Sequence, residues 1–439
     1  MELQSGDGGQ VRSVGIIAPT RIQTFAVCVF VAPFFFAVLM LCRIIMPVVA
    51  RLAGRLRAKA GIVRSVWGVT PILTLPLLAK ADALLGIKSE SFVFQTYYIT
   101  REFDRNLSAS AAWFSRWAPA LTRWYYELVF LLTLPRYDIY HYFNDRGLMQ
   151  PEKRFGICVR ELRYLERTGR QLYTYAYGAD VRERQATMAL GKWNFCRDCD
   201  DPGRYCVCDA AELGASLRPV ARSARAMNTM GDMLIYVPRG RNMHYWPIDV
   251  DRVAAVGGGV QARKRSHLLL AHAPNHGHFK GTSYIMEAVA SLQKRGLDIE
   301  LVTVQHVSNS KVLEVFARAD VVIDQLIGGF HGYTALEAMA LGKPVISYLR
   351  SPELVFPECP IISATPDSIE SVLGDIYSGI YNLAALGRGG LAYVQKNYSI
   401  EAVAIRLAEM YLSTAVLSPT ERDSLTRARG RLSTLANRL

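Results

Sequence analysis

The stretch from Ala319 to Ser347, ADVVIDQLIGGFHGYTALEAMALGKPVIS, constrains the fold of this chain more than any other. Asp320 to Asp324 is apolar on both faces and too short for a helix, which predicts a strand inside a parallel sheet. Gly328, Gly329 and Gly332 make a turn, Tyr333–Leu341 has helix-forming residues, and Gly342 stops the helix before a second strand at Val345–Ser347. Strand, glycine turn, helix and strand form a βαβ unit. In such a unit the first turn of the helix points free N–H groups at the crevice beyond the strand ends, which favours an anion. Glu337 lies one turn inside that helix, within reach of a polar part of the same ligand.

A chain of 439 residues has room for two α/β domains and an appendage. Its 51 Lys and Arg against 38 Asp and Glu leave a formal charge of +13. A surplus of this size suits nucleic acid, an anionic membrane or anionic ligands. No nucleic-acid motif accompanies it, and the basic residues gather beside an apolar segment, so a membrane is the expected partner. Residues 22–42 carry no charge, and 21 residues of helix span about 30 Å, the thickness of a bilayer core. Pro33 kinks such a helix without forbidding it. Arg43, Arg51, Arg55, Arg57, Lys59 and Arg64 follow with no acid among them, whereas Arg12 and Arg21 precede. This asymmetry predicts a single N-terminal anchor with the bulk of the chain on the cytoplasmic side. A true translation start further downstream is the alternative. Residues 1–21 are polar and Gly-rich and are expected to lack order.

Beyond Gly61 the pattern predicts a strand at Ile62–Trp67, a helix at Ile72–Leu85 and a strand at Ser91–Ile99. Ala111–Leu134 reads as one helix rich in aromatic residues, among them Trp113, Trp117, Trp124, Tyr125 and Tyr126. It suits either a membrane surface or packing on the sheet. Asp138–Asn144 is a strand ending in polar residues, and its His141 is either a substrate contact or a core histidine. Gln171–Ala176 is a further strand that runs into Tyr177-Gly178-Ala179-Asp180-Val181-Arg182, where Asp180 and Arg182 serve a site or pair with each other. Cys196, Cys199, Cys206 and Cys208 then fall within thirteen residues. Four thiolates suit one closed, structural zinc site, although the one-residue last gap is tighter than usual; free thiols are the alternative, and disulfides are disfavoured in a reducing compartment. Residues 255–264, with three consecutive glycines and a basic run, read as an interdomain linker.

Two runs carry a resemblance to a known family: His272–Thr282 (HAPNHGHFKGT) and Gly332–Ile346 (GYTALEAMALGKPVI). They resemble the donor site of family 4 glycosyltransferases of the GT-B fold. The resemblance implies an α/β architecture of two Rossmann-like domains facing across a cleft, preceded here by the hydrophobic helix. The expected division is 1–60 for the start, anchor and basic flank, 61–262 for an acceptor domain with the Cys-rich insert 196–208, 263–417 for a nucleotide-sugar-binding domain, and 418–439 for a basic tail. The last helix, from Ile400, is expected to cross back to the first domain, and Asp232–Val237 with the Trp246–Asp249 exit resembles that domain's end. In the family, a Glu matching Glu337 holds the donor ribose and a Lys matching Lys280 neutralises the diphosphate, which is the leaving group. His276 or His278 stands in for the usual arginine of that loop. Gly281, Gly332, Tyr333 and Thr334 complete the phosphate cradle. The family's first Glu, eight positions before the second, falls on Gly329 here, so Asp324 and Gln325 are the local substitutes for sugar contacts. Its frequent catalytic His falls on Tyr177, a poor base near neutral pH; Lys280, Asp180, His141 and Tyr177 are the catalytic candidates.

The resemblance implies transfer of a sugar, with retention and without a cofactor or catalytic metal, from a UDP- or GDP-sugar to a lipid-linked or polysaccharide acceptor. A membrane-anchored nucleotide-sugar-binding protein without catalysis is the rival reading, and a GT-B epimerase a third.

Overall fold

The computed structural model describes residues 21–258 and 267–436. Of the expected unordered start at 1–21, residues 1–20 lie outside those residues and Arg21 opens a helix; the later part of the expected linker also lies outside them, and its first part closes the helix Val250–Gly258.

Seven parallel strands make the first sheet: β1 (Arg64–Val69), β2 (Lys88–Val93), β3 (Arg105–Asn106), β4 (Ile139–Phe143), β5 (Gln171–Tyr175), β6 (Ala224–Thr229) and β7 (Arg241–Asn242), in the order β3-β2-β1-β4-β5-β6-β7. Every position of β4 and β5 is buried, as expected where helices cover both faces of a parallel sheet. The second sheet holds β8 (Leu268–His272), β9 (Ile299–Thr303), β10 (Val321–Ile323) and β11 (Val345–Ile346) in the order β11-β10-β8-β9, again parallel. The helix Tyr333–Ala340 joins β10 to β11, so the predicted βαβ unit is present.

Several expectations need correction. The strand at Ser91–Ile99 starts earlier and stops at Val93, because β1 ends at Val69 and offers no partner beyond it. The single aromatic helix is two, Ser108–Trp117 and Thr122–Thr133, parted by a turn at Pro119; proline lacks an N–H and restricts the residue before it. Asp232–Val237, where the resemblance implies a strand and turn at the first domain's end, lies in a 3-10 turn (Gly231–Tyr236), and the strand is the preceding β6, whose ARAMNT sequence has no apolar alternation to announce it.

The chain's last helices return to the first domain. The helix Ile400–Thr414 packs on Thr74–Leu84 and buries Val403, Leu407 and Tyr411 in the same core as Trp67 and Leu78. The expected basic tail is a helix, Pro419–Ala436, whose Leu425, Ala428 and Leu432 enter that core.

Residues Arg21–Lys59 form one helix of 39 residues, about 58 Å at 1.5 Å per residue. Among the described residues it is the one helix long and apolar enough to cross a membrane. Its second half is not a free flank. Leu39, Cys42 and Ala50 join the first-domain core, Arg43 grips both carboxylate oxygens of Glu127 at 2.7 Å, and Arg57 does the same to Asp138 at 2.8 and 2.7 Å. Phe35 and Phe36 meet Phe114 and Trp124 with ring centres 5.6 and 5.4 Å apart, so the two aromatic helices lie against the apolar run itself. The opposite face is bare: Phe30 is 82% and Ile44 72% exposed.

Candidate active site

The second domain builds its half of the site around β8 and β10. His272 ends β8, buried, with one ring nitrogen 2.8 Å from the Ile323 carbonyl oxygen and the other 2.8 Å from Thr282 Oγ1; burial pushes it down to about 4, so it is neutral and structural. The loop beyond it brings Lys280 over the end of β10. There its ammonium pairs with Asp324, whose other oxygen accepts the Gly332 N–H at 2.5 Å. A side chain at Gly332 would place Cβ 3.0 Å from both Asp324 oxygens and 3.1 Å from the Lys280 ammonium, so glycine keeps that corner open. Gly281, at φ +71°, lets the chain reverse from Lys280 into the helix Thr282–Lys294.

Gly332 is the N-cap of Tyr333–Ala340, and no side chain caps that helix. The backbone N–H groups of its first turn, from Tyr333 and Thr334, therefore sit beside the Lys280 ammonium, an arrangement suited to phosphate. Glu337, one turn along, is 6% exposed, and its Oε1 accepts from Asn309 Nδ2 at 2.6 Å. Burial pushes its carboxyl up to about 7. Gln325 spends its amide inside the turn, accepting the Gly328 N–H at 2.6 Å and donating to the Phe330 carbonyl, so it shapes the cavity wall. His276 and His278 stand apart from Lys280's cavity and pack their rings against Tyr205, 4.8 and 5.5 Å away.

Across the cleft, Tyr177, Arg182 and Asp232 of the first domain close a cavity of about 170 Å³ against Lys280, Gln325 and Gly332. Burial pushes the Tyr177 hydroxyl well above its ordinary value, which leaves it a hydrogen-bond donor and no base. Asp180 lies beneath this wall, fully buried, accepting the N–H groups of Tyr177, Gly178 and Asn144 at 2.9, 3.0 and 3.1 Å. Its carboxyl shapes the turn and leaves Arg182 free of it, so the alternative in which the two residues pair with each other does not describe them. His141 is not at the cleft. It is stacked on Trp67 at 3.8 Å in the first-domain core, with Tyr175 and Tyr411 hydroxyls 3.1 and 2.9 Å from its ring nitrogens. The core-histidine alternative describes it, and burial holds it well below its ordinary value.

The four clustered cysteines are near one another but do not form a ligand set: no group of three or more His, Cys, Asp or Glu among the described residues is placed to hold a metal ion. Cys206 Sγ accepts from Arg182 Nη1 at 3.4 Å, and Cys208 Sγ from the Gly203 N–H at 3.1 Å. Zinc therefore does not fit the thiols as they stand. What the insert does instead is reach over the cleft. Trp193 is buried in the second-domain core with Ile285 and Leu326, and its indole N–H donates to Asp367 at 2.8 Å. Tyr284 donates to Asp198 at 3.0 Å, and Arg350 to the Trp193 carbonyl at 2.8 Å. Phe195 presses on the glycine turn so closely that a Cβ at Gly328 would lie 2.3 Å from its ring. Trp193, Phe195 and Arg350 escaped the reading from sequence; the Cys-rich insert beside the first two was legible, its distant partners in the second domain were not.

Two parallel-sheet domains, a crevice between their strand ends and late helices returning to the first domain define the GT-B fold. A solved structure shares it. Sucrose-phosphate synthase from Thermosynechococcus elongatus is similar with a TM-score of 0.50 and 13% identity, over 80% of this chain and 98% of that one. The catalytic domain of starch synthase IV from Arabidopsis thaliana, bound to ADP and acarbose, matches at 0.49 and 11% over 84% and 99%, and Anabaena HepE in complex with UDP-glucose at 0.47 and 12% over 80% and 100%. At such identities the likeness is one of fold. No family model matches this chain, and no curated protein does.

Proposed function

We propose that this chain is a membrane-anchored glycosyltransferase that moves a sugar from a nucleoside-diphosphate sugar to a lipid-linked or glycan acceptor. One observation carries the reading: the Lys280 ammonium, the open Gly332 corner and an uncapped helix N-terminus converge on one interdomain cavity, with buried Glu337 one turn further. A diphosphate seated there has its growing charge met by a fixed cation and backbone N–H groups as the glycosidic bond breaks. Glu337 suits the ribose hydroxyls. UDP and GDP sugars are the donors this reading favours, with retention and no catalytic metal. The spacing of Cys196, Cys199, Cys206 and Cys208 supports a structural zinc in the insert, and their placement opposes it.

For the acceptor, a second cavity of about 210 Å³ is lined by Gln95, Tyr126, Arg146 and Gln150 in the first domain. Tyr126 belongs to the aromatic pair of helices that lie on the N-terminal helix, which supports a lipid-linked acceptor delivered from the membrane. The rival, a nucleotide-sugar-binding protein, is favoured by Tyr177 and Gly329 standing where the resemblance calls for a catalytic His and Glu.

Donor affinity and turnover of two variants test the reading. Lys280→Ala should weaken donor binding by about 1.5–3 kcal/mol, the scale of a charge-assisted hydrogen bond, and should slow turnover further because leaving-group charge grows in the transition state. Glu337→Gln should weaken binding with less effect on the chemical step. Unchanged affinity in both variants rejects the donor site, and donor binding without turnover in the parent supports the rival.

A further inference from the structure

We propose that Arg182 is a second cation of the donor site, brought to the diphosphate from the first domain by the insert that straps the two domains together. The inference rests on the donor-site reading above and names a recognition element that reading lacks, since neither His276 nor His278 lines the cavity where the loop's arginine was expected.

Arg182 lies on the cavity wall facing Lys280 and Gly332 and is 9% exposed. Its Nη1 has only the weak acceptor Cys206 Sγ, and its Nε is buried with no hydrogen-bond partner. Glu183, the next residue, caps the following helix by accepting the Gln185 and Ala186 N–H groups, and Asp180 is occupied by three backbone N–H groups. Asp232 faces both Arg182 and Arg350, yet it bonds to neither guanidinium and its Oδ2 is itself unpartnered. Burial works against the Arg182 charge, but Cys206 and Asp232 outweigh it and hold the guanidinium above its ordinary value, so it stays a cation that no carboxylate hydrogen-bonds. A buried guanidinium without a carboxylate is costly, and it is a fork of donors shaped for two oxygens of a phosphate. Lys280, by contrast, already shares its charge with Asp324.

The position of Arg182 depends on the insert. Its guanidinium carbon sits 4.0 Å over the Phe195 ring, and Phe195 is held against Gly328 of the second domain. Trp193, two residues before, is the plug in the second-domain core. Docking of the insert and delivery of the cation are one event. An open cleft has Lys280 alone; a closed one has both charges around the diphosphate, so full neutralisation of the leaving group is tied to exclusion of water.

Titration calorimetry on the detergent-solubilised full-length chain tests this, with UDP, GDP, ADP and CDP and their nucleosides as probes. The parent should bind at least one diphosphate. Arg182→Met should weaken it about tenfold or more while leaving the matching nucleoside unchanged, and Arg182→Lys should restore part of the loss. A purely structural arginine would weaken nucleoside and diphosphate alike or neither, and either result overturns the inference. Should the Met variant fail to fold, Trp193→Ala, which alters no charge in the cavity, decides by the same comparison: parental diphosphate affinity there overturns the proposal. Loss with Lys280→Ala but not with Arg182→Met removes Arg182 and leaves the donor site standing. A parent that binds none of the four diphosphates removes both.

Discussion

Glu337 is a carboxyl held near neutrality by burial, and this has a measurable pH signature. Its folded value, about 7, lies above the ordinary 4.5. For an acid raised on folding, the stabilisation is complete below the unfolded value and is lost as pH rises through the folded one. Glu337→Gln keeps an oxygen for Asn309 and does not titrate. Its stability relative to the parent should therefore increase from pH 4.5 to about 7 and stay level above, by on the order of 2 kcal/mol. Denaturant melts of both proteins at pH 5 and pH 8 check this, and an equal gap at the two values would show that Glu337 does not ionise in that range. Donor hydroxyls favour the ionised form, so parental donor affinity should rise through pH 7 and the variant's should not. A second residue-scale expectation concerns Gly332. Gly332→Ala intrudes on both Asp324 oxygens and Lys280, so donor affinity should collapse while the melting temperature, read in parallel, moves little.

At the scale of elements, the N-terminal helix is long and apolar enough to cross a membrane and is also a component of the first domain. A boundary at Gly61, natural from hydropathy, cuts away Arg43 and Arg57 with their carboxylate partners and the buried Leu39, Cys42 and Ala50. Glu127, 2% exposed, keeps only Arg160 at 3.3 Å after such a cut. A chain lacking residues 1–60 should then melt several degrees below one lacking 1–38, which retains every one of these contacts; equal thermal midpoints would mean that the helix adds nothing to the first domain. The full-length chain should sediment with membranes, and recovery in a high-speed supernatant at physiological salt would refute the anchor. The insert is the second element with a double role. Trp193 and Lys192 meet Asp367 across the cleft, so Asp367→Ala should speed hydrogen exchange in both the insert and the glycine turn it covers.

At the scale of the molecule, the cleft is closed. A cavity of about 170 Å³ falls below the roughly 300–1,000 Å³ of ordinary small-molecule sites, so the donor proposed above would enter only when the domains part. Tyr333 donates to the Pro247 carbonyl at 2.8 Å and the Asn309 N–H to the Ile99 carbonyl at 3.3 Å, two polar ties between the domains that such a motion breaks. What the sequence alone determined was the second domain's βαβ unit with Glu337 on its helix, the place of Lys280 in the loop after that domain's first strand, and the apolar run that begins the N-terminal helix. Those features obey local rules: strand length, glycine conformations, helix stops and hydrophobic period act within a few residues. Tertiary structure alone decided that Asp180 serves the backbone and not Arg182, that His141 belongs to the core, that the cysteine loop crosses to the other domain, and that the tail helix completes the first. Each of these turns on a partner far along the chain, as with Tyr411 against His141 or Asp367 against Trp193. Burial and hydrogen-bond satisfaction at such sites are set by packing between distant segments, which no local pattern encodes.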